Sequence, residues 1–265
     1  MVFTIDFKNK NFIVTGGNRG IGLALTRSIA QAGGNVSILY RSSSSAPQVA
    51  QGLEKEFPRQ RFFAVQCDVT DQKRVGEAFE EVVQGFGKEG GLHGVVANAG
   101  VAIVKDALEV GGEEFDFMYR TNVLGVFYIA QAAAKYWVKT KFTEGSIVVI
   151  SSMSSQIYNQ SALNEPLRHV FYNSSKAAVS SLAKNLAAEW APHGIRVNIV
   201  SPGYVETEQS GVHAPAVRKF HEDSVPLRRY SQPKEQAPPV LLLLSEHSSY
   251  MTGSEVFVDG GMLIW

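Results

Sequence analysis

Tyr172 and Lys176 are the residues of this sequence whose types and spacing could carry out proton chemistry most directly. They are four residues apart at the start of a predicted helix, so their side chains share one helix face. A lysine cation beside a phenol stabilises the phenolate and lowers the pKa of the tyrosine towards neutrality. The pair could therefore protonate a carbonyl oxygen, although Tyr-x-x-x-Lys also occurs on solvated helix faces that have no catalytic role.

Other polar residues stand where they could assist this chemistry. Ser152 follows the fifth predicted strand, where its hydroxyl could hydrogen-bond the same carbonyl and stabilise negative charge on the oxygen. Asn122 lies in an apolar helical stretch, where an amide must be hydrogen-bonded, so it either satisfies the local structure or belongs to a proton path. Asn98, Ala99 and Gly100 end the fourth predicted strand, a sequence that suits close approach of a ligand and an ordinary turn equally.

A glycine-rich segment, Thr15–Gly22, separates the apolar run Phe12–Val14 from a helix with apolar residues at Ile21, Leu25 and Ile29. This order predicts a strand, a tight turn and a helix. Glycines let a phosphate approach the backbone, and the positive end of the following helix attracts the anion. The segment favours the pyrophosphate of a dinucleotide as ligand; the alternative is a purely structural turn.

The charges around this turn indicate which dinucleotide is bound. Folds that choose NAD place an acidic residue at the end of the second strand, where it accepts hydrogen bonds from the ribose. Tyr40 occupies that position here, and Arg41 follows it. Arg19 in the glycine turn, Arg41 and the hydroxyls of Ser42 and Ser43 could converge on a 2′-phosphate. The sequence therefore predicts NADP(H).

The composition excludes several other classes of protein. The 265 residues include 25 basic and 25 acidic side chains without a long block of either sign, which argues against nucleic acid or an anionic membrane as partner. No apolar run approaches the ~20 residues of a membrane span, and charges interrupt the N-terminal segment. Cys67 is alone and the six histidines are scattered, so we expect no disulfide and no metal. A cytoplasmic protein is predicted.

Predicted strands and helices alternate along most of the chain. This order predicts an α/β fold, with a Rossmann-type doubly wound parallel sheet of about seven strands and helices on both faces. Residues 1–265 are expected to form one domain, with a substrate loop at about 204–234. The predicted strands are 12–14, 36–40, 62–65, 92–97, 146–150, 195–200 and 255–258, and the predicted helices after the first are 47–57, 73–86, 113–139, 172–190 and 235–244.

Six spaced motifs over residues 10–261 together resemble the classical short-chain dehydrogenase/reductase family. They are Thr15-Gly16-x-x-x-Gly20-x-Gly22, Asn98-Ala99-Gly100, Asn122, Ser152, Tyr172-x-x-x-Lys176 and Pro202-Gly203. The resemblance implies that Tyr172 is the catalytic acid/base and that Ser152 positions the carbonyl. It also implies that Lys176 tunes Tyr172 and holds the nicotinamide ribose, while Asn122 completes a water-mediated proton relay.

The same resemblance implies a dinucleotide site that extends over much of the chain, with Asp68 accepting a hydrogen bond from the adenine amino group. Its residues are Gly16, Asn18, Arg19, Gly20, Ile21, Gly22, Tyr40, Arg41, Ser42, Asp68, Val69, Asn98, Ala99, Gly100, Tyr172, Lys176, Pro202, Gly203, Val205 and Thr207.

The local sequences around Ser152 and Tyr172 and the last residues, Asp259–Trp265, resemble those of the fungal NADP-dependent mannitol 2-dehydrogenase and sorbose reductase branch of this family. That resemblance implies a small ketone or alcohol substrate, in a reversible ketose–polyol interconversion such as fructose–mannitol. The alternative is a bulkier secondary-metabolite ketone. It also implies a homotetramer that pairs through the helices 113–139 and 172–190.

Two segments should bear on the substrate. The polar residues between Ser152 and Tyr172 either face sugar hydroxyls or form a solvated loop; they are Asn159, Gln160, Asn164 and Glu165. The segment from Tyr204 to Tyr230 offers both an apolar and a polar wall, so the sequence does not choose between the two substrates. Its apolar candidates are Val205, Val212, Val217, Phe220 and Leu227, and its polar candidates are Glu206, Glu208, Gln209 and His213.

Overall fold

A computed structural model describes residues 4–87, 91–208 and 210–264, and its central element is a seven-stranded parallel sheet. The sheet strands are β1 (Asn11–Thr15), β2 (Asn35–Tyr40), β3 (Phe62–Gln66), β4 (Gly94–Ala97), β5 (Ser146–Ile150), β8 (Arg196–Pro202) and β9 (Glu255–Val258). Their order is β3-β2-β1-β4-β5-β8-β9, so the order reverses between β1 and β4. Ligands bind at such a switch point, beyond the carboxyl ends of the strands. A separate antiparallel hairpin pairs β6 (Gln160–Ala162) with β7 (Glu165–Pro166).

Helices cover both faces of the sheet, which confirms the predicted fold class. Alternate residues of β1 face opposite sides, with Ile13 in one hydrophobic core and Phe12 and Val14 in the other. The first core packs against α3 (Gln72–Phe86), α5 (Val126–Thr140) and α6 (Val170–Trp190); the second packs against α1 (Gly20–Gln31), α2 (Ala46–Glu56) and α8 (Ala237–Leu244). Within the described ranges, none of the helices has the length and apolar character needed to cross a bilayer.

The helix predicted over 113–139 is present as a continuous helical run over 112–140, but its middle is π-helical, which the sequence did not predict. The structure has α4 (Gly112–Tyr119), a π-helical segment (Arg120–Gly125) and then α5. Within the π-helical segment, Asn122 is buried and its amide bonds to Val101 and Ser175. These partners lie elsewhere in the chain, so the periodicity of the local sequence carries no sign of them. π-Helical turns of this kind occur frequently at functional sites.

The segment predicted as a loop at about 204–234 contains a ten-residue helix, α7 (Pro215–Ser224). His221 anchors this helix and is fully buried. Its Nε2 lies 2.7 Å from the Gln160 carbonyl, which can only accept, so Nε2 donates and Nδ1 accepts from the Tyr230 hydroxyl at 2.7 Å. The ring also stacks on Tyr204, with centroids 4.1 Å apart. The prediction missed α7 because these anchoring contacts are long-range.

Candidate active site

A cavity of about 1000 Å³ opens at the carboxyl ends of the strands, where the sheet order predicts a ligand site. All the residues that the resemblance assigned to the dinucleotide line it. They come from the glycine turn, the segments after β2 and β3, the end of β4, the start of α6 and the segment after β8. The cavity therefore brings together residues from most of the chain, from Gly16 to Tyr230.

The glycine turn has the geometry of a phosphate cradle. Gly16 has a φ of +66°, in the left-handed region that favours glycine. A Cβ on Gly22 would lie only 2.2 Å from the Gly16 carbonyl oxygen, so the turn and the helix pack too closely for any side chain. No side chain caps the start of α1 at Arg19, and the following backbone lines the cavity. This donor-rich helix end fits the pyrophosphate of a dinucleotide.

Arg19 and Arg41, the two arginines predicted to bind a 2′-phosphate, both line the cavity. Arg19 forms an exposed ion pair with Glu208, 3.7 Å between Nη1 and Oε2. Arg41 has no carboxylate within ion-pair distance among residues 4–87, 91–208 and 210–264. The end of β2, where folds that choose NAD carry an acidic residue, is occupied by Tyr40. This charge distribution suits a 2′-phosphate.

Asn98 and Ala99 have a structural task at the cavity floor. Both backbone N–H groups donate to Thr15 Oγ1 at 2.9 Å, and Asn98 Nδ2 donates to the Thr15 carbonyl at 2.8 Å. These bonds hold the end of β4 against the end of β1. The structure thus gives this motif a positioning role in addition to its place in the cavity wall.

Ser152, Tyr172 and Lys176 lie together in the cavity. Ser152 hydrogen-bonds the Tyr172 phenol. Lys176 is 5% exposed; its Nζ donates to the Ile150 carbonyl at 3.0 Å and lies 5.7 Å from the centre of the Tyr172 ring. Because α6 begins two residues before Tyr172, its first turns carry both side chains into the cavity.

The electrostatics of this group differ from the sequence-based expectation. Burial raises the pKa of Tyr172, and the hydrogen bond from Ser152 opposes this increase without cancelling it. Burial also lowers the pKa of Lys176 to about 8. The expectation that Lys176 would lower the Tyr172 pKa is therefore not met by the protein's own side chains, because desolvation is the largest effect on this pKa and the hydrogen bond with Ser152 is the effect that opposes it.

Asn122 lies behind this group and does not line the cavity. It is 1% exposed; its Oδ1 accepts from the Val101 N–H at 2.9 Å, while its Nδ2 donates to the Val101 carbonyl and to Ser175 Oγ. Ser175 Oγ in turn donates to the Tyr172 carbonyl at 2.8 Å. The side chain thus joins the segment after β4 to the helix that carries Tyr172, which favours the structural alternative for its amide group.

The remaining wall of the cavity, beside Tyr172, contains residues that the sequence argument missed or left open. Asn159, His169, Tyr204 and His213 form its polar part, and Val104, Phe117 and Leu167 its apolar part. His169 and Tyr204 could have been suspected only from their closeness in sequence to Tyr172 and Pro202-Gly203. Asn159 accepts from Ser154 Oγ at 2.7 Å and hydrogen-bonds Tyr204.

The structure separates the candidates of the two substrate segments. Val205, Glu208 and His213 line the cavity. Gln160, Glu206, Val217, Phe220 and Leu227 do not, and Asn164 and Glu165 are solvated at the exposed tip of the β6–β7 hairpin. Gln209 and the side chain of Val212 lie outside the described residues.

Comparisons with known proteins give this site its class. A family model described as enoyl-(acyl carrier protein) reductase matches residues 16–263. Sorbose reductase from Schizosaccharomyces pombe is 36% identical over 262 residues, which cover 98% of each chain. A ribulose-forming D-arabinitol 2-dehydrogenase from Candida albicans is 34% identical over 99% of this chain and 95% of that protein.

Solved structures agree with these matches. A short-chain dehydrogenase/reductase from Mycobacterium marinum superposes with a TM-score of 0.89 at 36% identity, over 98% of this chain and 97% of that one. An NADPH-dependent 3-quinuclidinone reductase from Rhodotorula rubra gives 0.87 at 32% identity, over 99% and 94%. The fold and matches define an oxidoreductase that acts on CH–OH or C=O groups with a nicotinamide dinucleotide. The chain belongs to the short-chain dehydrogenase/reductase family.

Proposed function

We propose that this protein is an NADPH-dependent carbonyl reductase that reversibly interconverts a ketose and a polyol of the fructose–mannitol or sorbose type. The observation that carries the proposal is the polar wall beside Tyr172, formed by Asn159, His169, Tyr204 and His213. Amide, imidazole and phenol groups give a polyhydroxylated chain several hydrogen-bond partners. Similarity to sorbose reductase and D-arabinitol 2-dehydrogenase supports the same substrate class.

The residues of the cavity divide the proposed work between them. The uncapped start of α1 and the glycine turn would hold the pyrophosphate, and Lys176 the nicotinamide ribose. When bound, the dinucleotide supplies the hydride for reduction or accepts it in the reverse direction. Tyr172 Oη donates the proton to the carbonyl oxygen of the substrate. Ser152 Oγ orients that oxygen and stabilises the negative charge that develops on it.

Asn122 completes this group in the proposal, consistent with the family resemblance. Its amide holds Val101 and Ser175, so its side chain acts by fixing α6 relative to the cavity wall. The proton relay that the resemblance implies would then use a water molecule held beside α6 and the segment after β4, whose relative position Asn122 fixes.

A bulkier ketone is the second candidate substrate, and one specific observation favours it. Val104, Phe117 and Leu167 give the cavity an apolar side, which could accept a ring system. The fold is also similar to that of a 3-quinuclidinone reductase. The polar wall includes His169, whose ring centre is 5.4 Å from that of Tyr172, and this contact with the proposed proton donor favours the sugar substrate.

The two candidates are separated by a substrate panel. Purified protein with saturating NADPH is expected to reduce fructose and sorbose, and the reverse reaction with NADP⁺ should oxidise the matching polyols. The measurement is kcat/KM for these sugars beside 3-quinuclidinone and aromatic ketones. Slow turnover of both sugars at any practical concentration, together with efficient reduction of cyclic or aromatic ketones, would show that the polyol assignment is wrong.

The choice of NADPH over NADH should depend on Arg41. Arg41→Asp replaces attraction by repulsion beside the 2′-phosphate, so the KM for NADPH should rise about 10- to 100-fold while that for NADH changes little. The matched control is Arg27→Asp, because Arg27 lies on α1 outside the cavity and pairs with Glu56. An equal effect of Arg41→Asp on the two cofactors would refute the assignment.

The remaining proposals concern assembly and location. We propose a cytoplasmic homotetramer, and exposed apolar side chains on α4, α5 and α6 support the pairing of these helices: Phe115, Val138 and Val170. A chain of 28.9 kDa would give a particle of about 116 kDa (4 × 28.9) by light scattering, and a strict monomer would exclude the tetramer.

A further inference from the structure

We propose that His169 determines specificity for ketones that carry a hydroxyl on the carbon next to the carbonyl, by hydrogen-bonding that hydroxyl. The inference rests on the proposed function, because it names the group that the polar wall recognises. The observation behind it is that both ring nitrogens of His169 are shielded from water and have no hydrogen-bond partner within residues 4–87, 91–208 and 210–264.

An unpaired buried polar atom is uncommon in a native protein, since burial without a partner costs free energy. His169 has two such atoms in one ring, and that ring lines the cavity. Its centre lies 5.4 Å from the centre of the Tyr172 ring, with 57° between their planes. The proposal requires a rotation about the Cβ–Cγ bond that brings one of these shielded nitrogens to the cavity surface when a substrate binds.

Two of the other polar residues of the wall, Asn159 and Tyr204, already have partners. Asn159 is bonded to Ser154 and Tyr204, and the nearby His221 uses both of its nitrogens on Tyr230 and Gln160. Within residues 4–87, 91–208 and 210–264, His169 is the wall residue whose buried ring nitrogens have no partner. Its ring lies beside that of Tyr172, the residue that donates the proton in the proposed function.

The protonation state of His169 suits a hydroxyl. Burial lowers the pKa of His169 to about 4, and the nearness of the His213 and His221 imidazoles adds to this decrease. The ring is therefore neutral near pH 7, with one nitrogen that donates and one that accepts. A hydroxyl also both donates and accepts, whereas a methyl group in its place would leave the nitrogens of His169 unpaired. Sites that hydrogen-bond a substrate hydroxyl discriminate strongly against analogues that lack it.

The test uses hydroxyacetone and butanone, which differ by a hydroxyl in place of a methyl group beside the carbonyl. Their kcat/KM values with NADPH are measured for the natural protein, His169→Leu and His169→Gln. We expect His169→Leu to lower the hydroxyacetone-to-butanone ratio about 10- to 100-fold, mainly by loss on hydroxyacetone. His169→Gln keeps a donor and an acceptor and should restore most of the ratio. His193→Leu, at the exposed end of the same helical region, is the matched control and should leave it unchanged.

Two outcomes would overturn the assignment: equal losses on the two ketones in His169→Leu, or a natural protein that does not prefer hydroxyacetone. Activity on butanone shows that a variant is folded. If His169→Leu is inactive on both ketones, His169→Gln is used in its place. Complete loss of the preference for hydroxyacetone in His169→Gln would also count against the proposed role. Failure of the ketose assignment looks different. In that case fructose and sorbose are not reduced, while His169→Leu still changes the preference between the two small ketones.

Discussion

Tyr172→Phe is expected to lower kcat for ketone reduction by about 10²- to 10⁴-fold while the Kd for NADPH changes by less than about threefold. The substitution removes the proton that the carbonyl oxygen needs, but it keeps the ring that packs near His169 and Lys176. Its burial also makes the phenol a poor acid on its own, because burial raises its pKa. Rate measurements at saturating NADPH and fluorescence titration of the cofactor give the two quantities.

Tyr250→Phe provides the matched control for this prediction, because Tyr250 is fully exposed and does not line the cavity. It should leave both the rate and the cofactor affinity unchanged. If Tyr172→Phe retained more than about a tenth of the natural kcat, another group would have to supply the proton. The role assigned to Tyr172 would then be wrong.

Lys176→Met is expected to stabilise the cofactor-free protein at pH 7 while it abolishes most activity. The folded-state pKa of Lys176 is about 8, below its ordinary value of 10.5. The unfolded chain therefore binds more protons between these two pH values, so the free energy of unfolding rises with pH across that window. Below about pH 8 the lysine is charged in both states, and burial of the cation then costs about 3 kcal/mol.

Methionine removes this charge but leaves the Ile150 carbonyl without its donor, a loss of about 1 kcal/mol. Urea denaturation at pH 7 should therefore show a net gain of about 2 kcal/mol, which falls by about 1 kcal/mol at pH 9, where the natural lysine is mostly neutral in the folded protein and still charged in the unfolded chain. Lys184→Met is the comparison, because Lys184 is half-exposed and pairs with Glu255. A destabilised Lys176→Met at pH 7 would contradict the argument.

The sequence predicted those parts of the fold that depend on local patterns. Apolar runs bounded by turn residues located all seven strands of the sheet, and β5 and β9 have the predicted bounds. The glycine turn was predictable because Gly16 and Gly22 meet a backbone requirement that no other residue type meets at these positions. The segments that line the cavity were found because the ends of parallel strands meet at one edge of a sheet.

The parts that were missed depend on contacts between distant residues. The π-helical segment follows from the bonds of Asn122 to Val101 and Ser175, which a 3.6-residue periodicity cannot reveal. Helix α7 has few apolar residues, and its anchor is His221, a polar side chain that is fully buried and holds the helix through hydrogen bonds. His169 belongs to no motif, and only the folded chain shows that its ring nitrogens have no partner.

His221 also bears on how strongly a substrate can bind. By bonding Tyr230 and Gln160 at once, it joins three segments around the cavity before any ligand arrives. The conformational entropy of ordering Tyr204, α7 and Tyr230 is therefore lost during folding and not during association. The free energy of contacts between a substrate and the wall then contributes almost entirely to binding, because little of it offsets the ordering of the wall. A preorganised pocket of this kind can discriminate between sugars with only a few hydrogen bonds.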